Sequence, residues 1–424
     1  MSSRSKGRNA KLVKYHNRAL VLKIIQQHET ISRKEIALKT GLTQATITKI
    51  TTELLNDEII HEKGRGDLGN SFGRKPIPLA ITKDRYHILT IHIGRYSITG
   101  AVCNLAGEIL FREEVMENLL EKDDEILIAE VIGLISSLIE RSASKRGGIL
   151  GIGISAPGTI NAEKGILIGE YSKMNRKKGT APPFDWSTIH LGELLEEEFG
   201  IPVFADNCSN VSALAESWFG KGKGIANFVE YSVGVGIGAG VIIDGMLYRG
   251  EDDVVAEIGH ITVDFDGPLC ACGNRGCLEL YAGFLHLLEE YKENGRKISK
   301  LEDIVRDLGD LVTEAQSGDQ RAMQLLGKEG RLLGIGAVSL ANIFSPEYIF
   351  VSGNDIGNMQ LDTIVREVRK SVEERAFSVI SHKVKVESSG LGEDIHLYGG
   401  IALVLQDFFN SPYRPSPAAE TVPV

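Results

Sequence analysis

Apolar residues recur at helical spacing through the first sixty positions. Within residues 17–28, Leu20, Val21, Ile24 and Ile25 fall on one face, which predicts a first helix ending near His28. Ser32 with Glu35 three residues on is a capping box, and Ile31 is placed to act as its hydrophobic staple. The short second helix runs to Thr40. Gly41 then tolerates the positive φ of a turn, Leu42 points inward, and Thr43 caps a third helix whose Ile47, Ile50 and Leu54 recur at spacings of three and four. Helix, short turn, helix is the helix-turn-helix pattern. The opposite face of the third helix carries Gln44, Thr46, Thr48 and Lys49, short polar groups able to reach base edges and phosphates, and Ser32, Arg33 and Thr43 join them as candidate DNA contacts. Beyond it, Ile59 to Lys63 and Pro76 to Ile81 read as the two strands of a winged hairpin whose tip presents Lys63, Arg65, Arg74 and Lys75. Gly73-Arg74-Lys75-Pro76 suits a narrow minor groove and a plain linker equally well.

From about residue 86 the pattern alternates β-rich apolar runs with helical stretches. Ile88–Ile93, Gly100–Cys103, Ile109–Phe111, Ile149–Ser155 and Ile201–Ala205 read as strands, and Glu125–Arg141 as a helix, which argues for an α/β fold with sheets covered by helices. The run Gly234 to Gly240 sits between apolar residues; by itself it reads as a phosphate loop or as a tight strand-turn-strand.

Composition and charge sharpen this division. The chain has 424 residues, enough for two or three domains, and its 42% hydrophobic and 25% charged content excludes wholesale disorder. The net charge of −10 is uneven: residues 1–85 hold 17 Lys and Arg against 8 Asp and Glu, and the remainder holds 30 against 49. A basic first fifth suits DNA, although a solvated basic tail fits the charge as well. The longest uncharged apolar stretch, Val233 to Ile243, is eleven residues with four glycines, well short of the ~20 a membrane helix requires. The basic N-terminus has no apolar signal core behind it, so a cytoplasmic chain is expected, with its 5 cysteines reduced or bound to metal.

Three of those cysteines cluster. His260, Cys270, Cys272 and Cys277, with Gly273 and Gly276 letting the backbone wrap, supply the four ligands of a closed tetrahedral zinc site, which would be structural because no position is left open. Cys103 and Cys208 have no such neighbours.

Glu257-Ile258-Gly259-His260 followed by Cys270 to Glu279 closely resembles the signature of the ROK family (repressor, open reading frame, kinase). Gly234–Gly240, Ser155–Gly158 and Asn207–Glu216 fit the same family, so the resemblance covers about residues 85–405. A helix-turn-helix with a Gly-Arg-Lys-Pro wing in front is the arrangement of its repressor branch. The resemblance implies an actin-like ATPase fold of two α/β lobes with a sugar cleft between them. It implies sugar contacts from Asn207, Glu257, His260 and Glu279 with backbone help near Gly158. The expected organisation is a basic tail over 1–16, a winged helix-turn-helix over 17–85, a sugar-sensing domain over 86–409 and a Pro-rich tail over 410–424.

Departures from the family kinases are informative. The position of their catalytic Asp, directly after the Asn of the sugar site, is Cys208. Their first phosphate loop, Asp-x-Gly-Gly-Thr, reads His92-Ile93-Gly94-Arg95-Tyr96, and the usual hydroxyl of the second is Val235. A thiol with a pKa near 8.5 suits phosphoryl transfer poorly, so no catalytic residue is expected. The expected protein is a sugar-responsive DNA-binding regulator, most simply a repressor, with operator DNA, a small-molecule sugar and further copies of itself as partners, as a dimer or tetramer. The competing expectation is an ATP-dependent sugar kinase with a regulatory N-terminal module. Tyr171 and Lys173 stand downstream of Gly158 as candidate ligand selectors.

Overall fold

The computed structural model describes residues 10–63, 77–94, 97–116, 124–143, 148–168, 188–250, 253–292, 301–353 and 362–410. Arg65, Arg74, Lys75, Arg95, Tyr171 and Lys173 lie outside these, as does all of the Pro-rich end after Asn410.

Helix α1 (Ala10–Gln26) starts before the expected residue 17, so part of the stretch assigned to the basic tail is helical, and Lys14 pairs with Glu53 at 3.0 Å. Strand β1 (Ile31–Ser32), α2 (Arg33–Thr40), α3 (Gln44–Asn56), β2 (Ile60–Glu62) and β3 (Pro78–Ile81) complete the first unit. The capping box forms: Ser32 N–H donates to Glu35 Oε2 at 2.8 Å, and Ser32 Oγ accepts from Glu35 N at 3.3 Å. Gly41 adopts φ 69° between α2 and α3, and Thr43 caps α3 by accepting from Thr46 N. Ile31 has a second role that its spacing did not disclose: it pairs with Leu79, making the wing a three-stranded sheet in the order β1-β3-β2. Two residues are too few to show strand periodicity.

The first lobe holds β4 (His87–Ile93), β5 (Ser97–Asn104), β6 (Ile109–Met116), α4 (Asp124–Ala143), β7 (Ile149–Ala156), β8 (Thr159–Asn161), β9 (Ile166–Ile168), α5 (Leu191–Phe199) and β10 (Val203–Asn207). Next come α6 (Cys208–Trp218), then β11 (Phe228–Val233), β12 (Ile237–Ile243), β13 (Met246–Leu247), α7 (Glu279–Ala282), α8 (Phe284–Lys292), α9 (Leu301–Gln316), α10 (Gln320–Phe344), β14 (Tyr348–Gly353), α11 (Asp362–Arg375), α12 (Ser378–Ser381), β15 (Lys385–Ser388) and α13 (Ile395–Asn410). The two five-stranded sheets run β6-β5-β4-β7-β10 and β13-β12-β11-β14-β15. Each is an antiparallel meander of three strands extended by two parallel ones, the same topology twice, as the actin-like expectation requires.

Helices α6 and α13 connect the parts. Gly399 and Gly400 let α13 approach Val211 of α6 and Gly153 of β7 so closely that a Cβ at either would overlap their backbone or, at Gly400, the Thr90 hydroxyl. The far ends of these helices meet the DNA-reading unit: the Lys23 ammonium lies 5.1 Å from the Trp218 ring, Arg18 lies over Phe408 at 6.0 Å, and one buried cluster runs from Ile47 and Leu54 to Ile401 and Phe409. No helix among the described residues is long and apolar enough to cross a membrane.

Candidate sugar cleft, metal loop and nucleic-acid interface

At the end of β10 the chain turns into α6 with Asn207 as N-cap. Asn207 Oδ1 accepts from Ser209 N at 2.8 Å, and its Nδ2 donates to Gly158 O at 2.6 Å. Two residues expected to share a sugar site, Asn207 and Gly158, are therefore in contact. Asp206, one residue earlier, is fully buried, and its Oδ1 accepts from Asn207 N and from Asn210 Nδ2. The Cys208 thiol is half-buried at the first turn of α6.

The other half of the site follows Ala256, whose φ of 55° is unusual for a residue with a side chain. Glu257, Ile258, Gly259 and His260 form a single turn, and Glu279 opens α7 with Oε2 accepting from Ile237 N at 2.9 Å. Glu257 is exposed, yet its carboxyl is crowded by neighbouring groups. Enclosure pushes its pKa up, Glu279 adds to the rise, and His260 opposes it. The start of β12 joins the halves: a Cβ on Gly238 would overlap Ser209 Oγ, and one on Gly259 would overlap Ile237 O. Such close approach is what the glycines of the Gly234–Gly240 run provide. The run forms a strand-turn-strand, with Val233 paired to Ile237 and the Val235 side chain in the apolar core.

His260, Cys270, Cys272 and Cys277 converge, their ligand atoms all within 4.8 Å of one another. Cys270 Sγ lies 3.7 Å from His260 Nδ1, and Cys272 Sγ lies 3.6 Å from Cys277 Sγ. Bonds of about 2.3 Å to sulfur and 2.0 Å to nitrogen in a tetrahedron separate neighbouring ligand atoms by roughly 3.6–3.8 Å, so the cluster fits a four-coordinate metal ion. Asn274 steadies it, its Nδ2 donating to Thr262 Oγ1 at 2.8 Å and lying 3.4 Å from Cys277 Sγ.

Where the kinases carry their phosphate-loop Asp, the His92 ring stacks on that of His396 from α13, with centroids 4.1 Å apart. His92 Nδ1 lies 3.3 Å from Ser155 Oγ, and His396 Nδ1 lies 3.2 Å from Ser212 Oγ. Burial holds both rings well below the usual imidazole range, His396 at about 4. His396 could not be found from sequence, being 304 residues away in the chain.

On the recognition helix Gln44, Thr48 and Lys49 are exposed and Thr46 is half-buried. The same exposed face adds Ala45 and Thr52, which the sequence reading passed over although 52 lies four residues after 48. Ser32 and Arg33 are corrected. Ser32 is buried and its hydroxyl belongs to the capping box; Arg33 Nε donates to Thr51 Oγ1 at 3.1 Å and its guanidinium to Glu62 at 3.0 Å. Arg33 thereby braces α2 against α3 and β2. Lys63 pairs with Glu29 at 3.0 Å.

Comparison with known proteins agrees with this anatomy. Residues 88–407 match the ROK family and residues 17–61 match winged helix-turn-helix DNA-binding domains. The xylose repressor of Caldicellulosiruptor bescii is 32% identical over 412 residues, spanning 95% of this chain and 99% of that protein. A crystal structure of a ROK family transcriptional regulator homologous to the Escherichia coli Mlc protein superposes with a TM-score of 0.75 at 27% identity, covering 94% and 97% of the two chains. A ROK family glucokinase from Streptomyces griseus, in complex with glucose and AMPPNP, gives 0.61 at 26% identity and covers 75% of this chain and 98% of its own.

Proposed function

This chain belongs to the ROK family, and on that premise we propose that it is a xylose-responsive transcriptional repressor acting in the cytoplasm as a homodimer. Asn207, Glu257, His260 and Glu279 hold the sugar hydroxyls, offering an amide and carboxylates that pair with vicinal OH groups. Gln44, Thr46, Thr48 and Lys49, with Ala45 and Thr52, face the major groove, and Arg65, Arg74 and Lys75 of the wing add phosphate and minor-groove contacts. His260 and the three cysteines hold zinc, which ties the loop carrying Glu257 to the helix opening at Glu279. Two protomers place their recognition helices roughly 34 Å apart, or a multiple of that, on a two-fold operator.

The observation carrying this reading is one helix. α6 begins at Asn207 in the sugar cleft and ends at Trp218 against Lys23 of the DNA-reading unit, so a change of lobe spacing at one end is felt at the other. The domain transfers no phosphoryl group, because Cys208 replaces the base and the His92–His396 stack stands where an acidic loop would meet a nucleotide. The deciding measurement is affinity for a DNA fragment carrying the operator, with D-xylose and with ATP. Xylose changes the affinity at least tenfold without ATP, about 1.4 kcal/mol of coupling. Indifference to xylose together with xylose-dependent ADP release would instead establish a kinase.

A further inference from the structure

Beside the cleft, a second set of charged groups joins the lobes. Arg249 follows β13, the edge strand of the second sheet, and its guanidinium lies 2.6 Å from Asp206 Oδ2, which belongs to β10, the edge strand of the first. Asp206 has no solvent exposure, and its other oxygen already holds Asn207 N. The guanidinium also reaches Asp253 Oδ1 at 3.3 Å, while Asp253 Oδ2 accepts from Ala162 N at 2.9 Å, in the turn between β8 and β9. Arg249 and Asp253 are thus each fastened to the first lobe. Asp253 and Ala256 both hold left-handed backbone, at φ 59° and 55°, and Glu257 comes directly after.

We propose that Arg249 is a positioning residue for the effector: with Asp206, Asp253 and Ala162 it forms a clasp that fixes the spacing between Asn207 on the first lobe and Glu257 on the second. The ion pair joins two different sheets, so its attraction is available only at this lobe spacing. A contact present in one arrangement and absent from the other shifts the balance between them. Asp206 is committed to the arrangement, because losing Arg249 leaves a buried carboxylate without its counter-charge. The clasp contributes no hydroxyl contact itself and acts through the two residues that do. This inference rests on the sugar-responsive reading above.

The test uses the full chain, with R249A, R249K, D206N and the double variant D206N/R249A, titrated with D-xylose by calorimetry. R249A and D206N each bind xylose at least tenfold more weakly than wild type, R249K recovers part of the loss, and the double variant is no more than about twofold worse than D206N. Xylose affinity of R249A within twofold of wild type, or losses that multiply in the double variant, would overturn the clasp. If R249A does not fold, R249K and D206N decide the matter by the same measure. Hydrogen exchange without sugar reads the clasp directly: peptides spanning 159–168 exchange at least tenfold faster in R249K or D206N than in wild type. Unchanged protection there overturns the clasp whatever the sugar result. A wild-type protein that binds no xylose overturns the effector reading alone.

Discussion

Glu230 lies on β11 with no exposure to solvent, accepting hydrogen bonds from Ser232 Oγ at 2.7 Å and from Ser352 Oγ. Burial pushes its pKa up to about 8, the serines oppose the rise, and Glu216 adds to it. An unfolded chain releases this proton near the ordinary carboxylate value of 4.5, so the folded state binds a proton that the unfolded state lacks between those limits. The associated stability is fully present below pH 4.5 and is lost as pH rises through about 8. Glu230→Gln keeps the shape and removes the titration. The stability difference, variant minus wild type, therefore grows between pH 5 and pH 8 in denaturant titrations; a constant difference would show that Glu230 is ionised throughout. Sequence alone could not single this residue out, since Glu230 sits in a strand next to ordinary apolar neighbours and its burial depends on the second sheet being covered.

At the scale of elements, helix α3 shows how much a local pattern carries. Its cap, its apolar stripe of Ile47, Ile50 and Leu54 and its polar face were all legible, because helical geometry fixes them within a few residues. Lys49 is exposed on that face and pairs with no carboxylate among the described residues, a group suited to a phosphate. Lys49→Ala should weaken operator binding by a similar factor on every sequence and lower the salt slope of log affinity by about 1. A change confined to one base position, found by substituting the operator, would place Lys49 on a base edge instead. Arg33 is the counterexample: its place at the start of α2 resembled a DNA contact, yet Thr51 and Glu62, far along the chain, claim its guanidinium.

At the scale of the whole molecule, the proposed metal loop and sugar cleft would be one construction, since His260 belongs to the His/Cys cluster and to the proposed sugar site, and Glu279 follows Cys277 by two residues. Removing the metal with a chelator should therefore lower xylose affinity at least tenfold, while operator affinity without sugar changes less than threefold. Loss of both together, or of neither, in the metal-depleted protein would separate the loop from the cleft. Thiolate ligands compete with protons, so depletion becomes easier as pH falls. The DNA-reading unit is coupled to this centre by α6 and α13, whose far ends pack against α1 in one continuous apolar cluster.

The sequence by itself determined what periodicity, spacing and residue chemistry can encode within some twenty residues: the helix-turn-helix, its caps, the strand runs, the His260, Cys270, Cys272 and Cys277 cluster and the family signature around it. It also carried His92, Cys208 and Val235, the positions at which the family resemblance implies a departure from the kinases. Tertiary structure alone decided which distant groups meet. It stacked His396 on His92, set Arg249 against Asp206, took Arg33 away from the DNA face and laid Trp218 beneath Lys23. The physical reason is that such contacts depend on how two sheets of like topology are placed by α6 and α13, a placement set by close packing across the whole core and by no local run of residues.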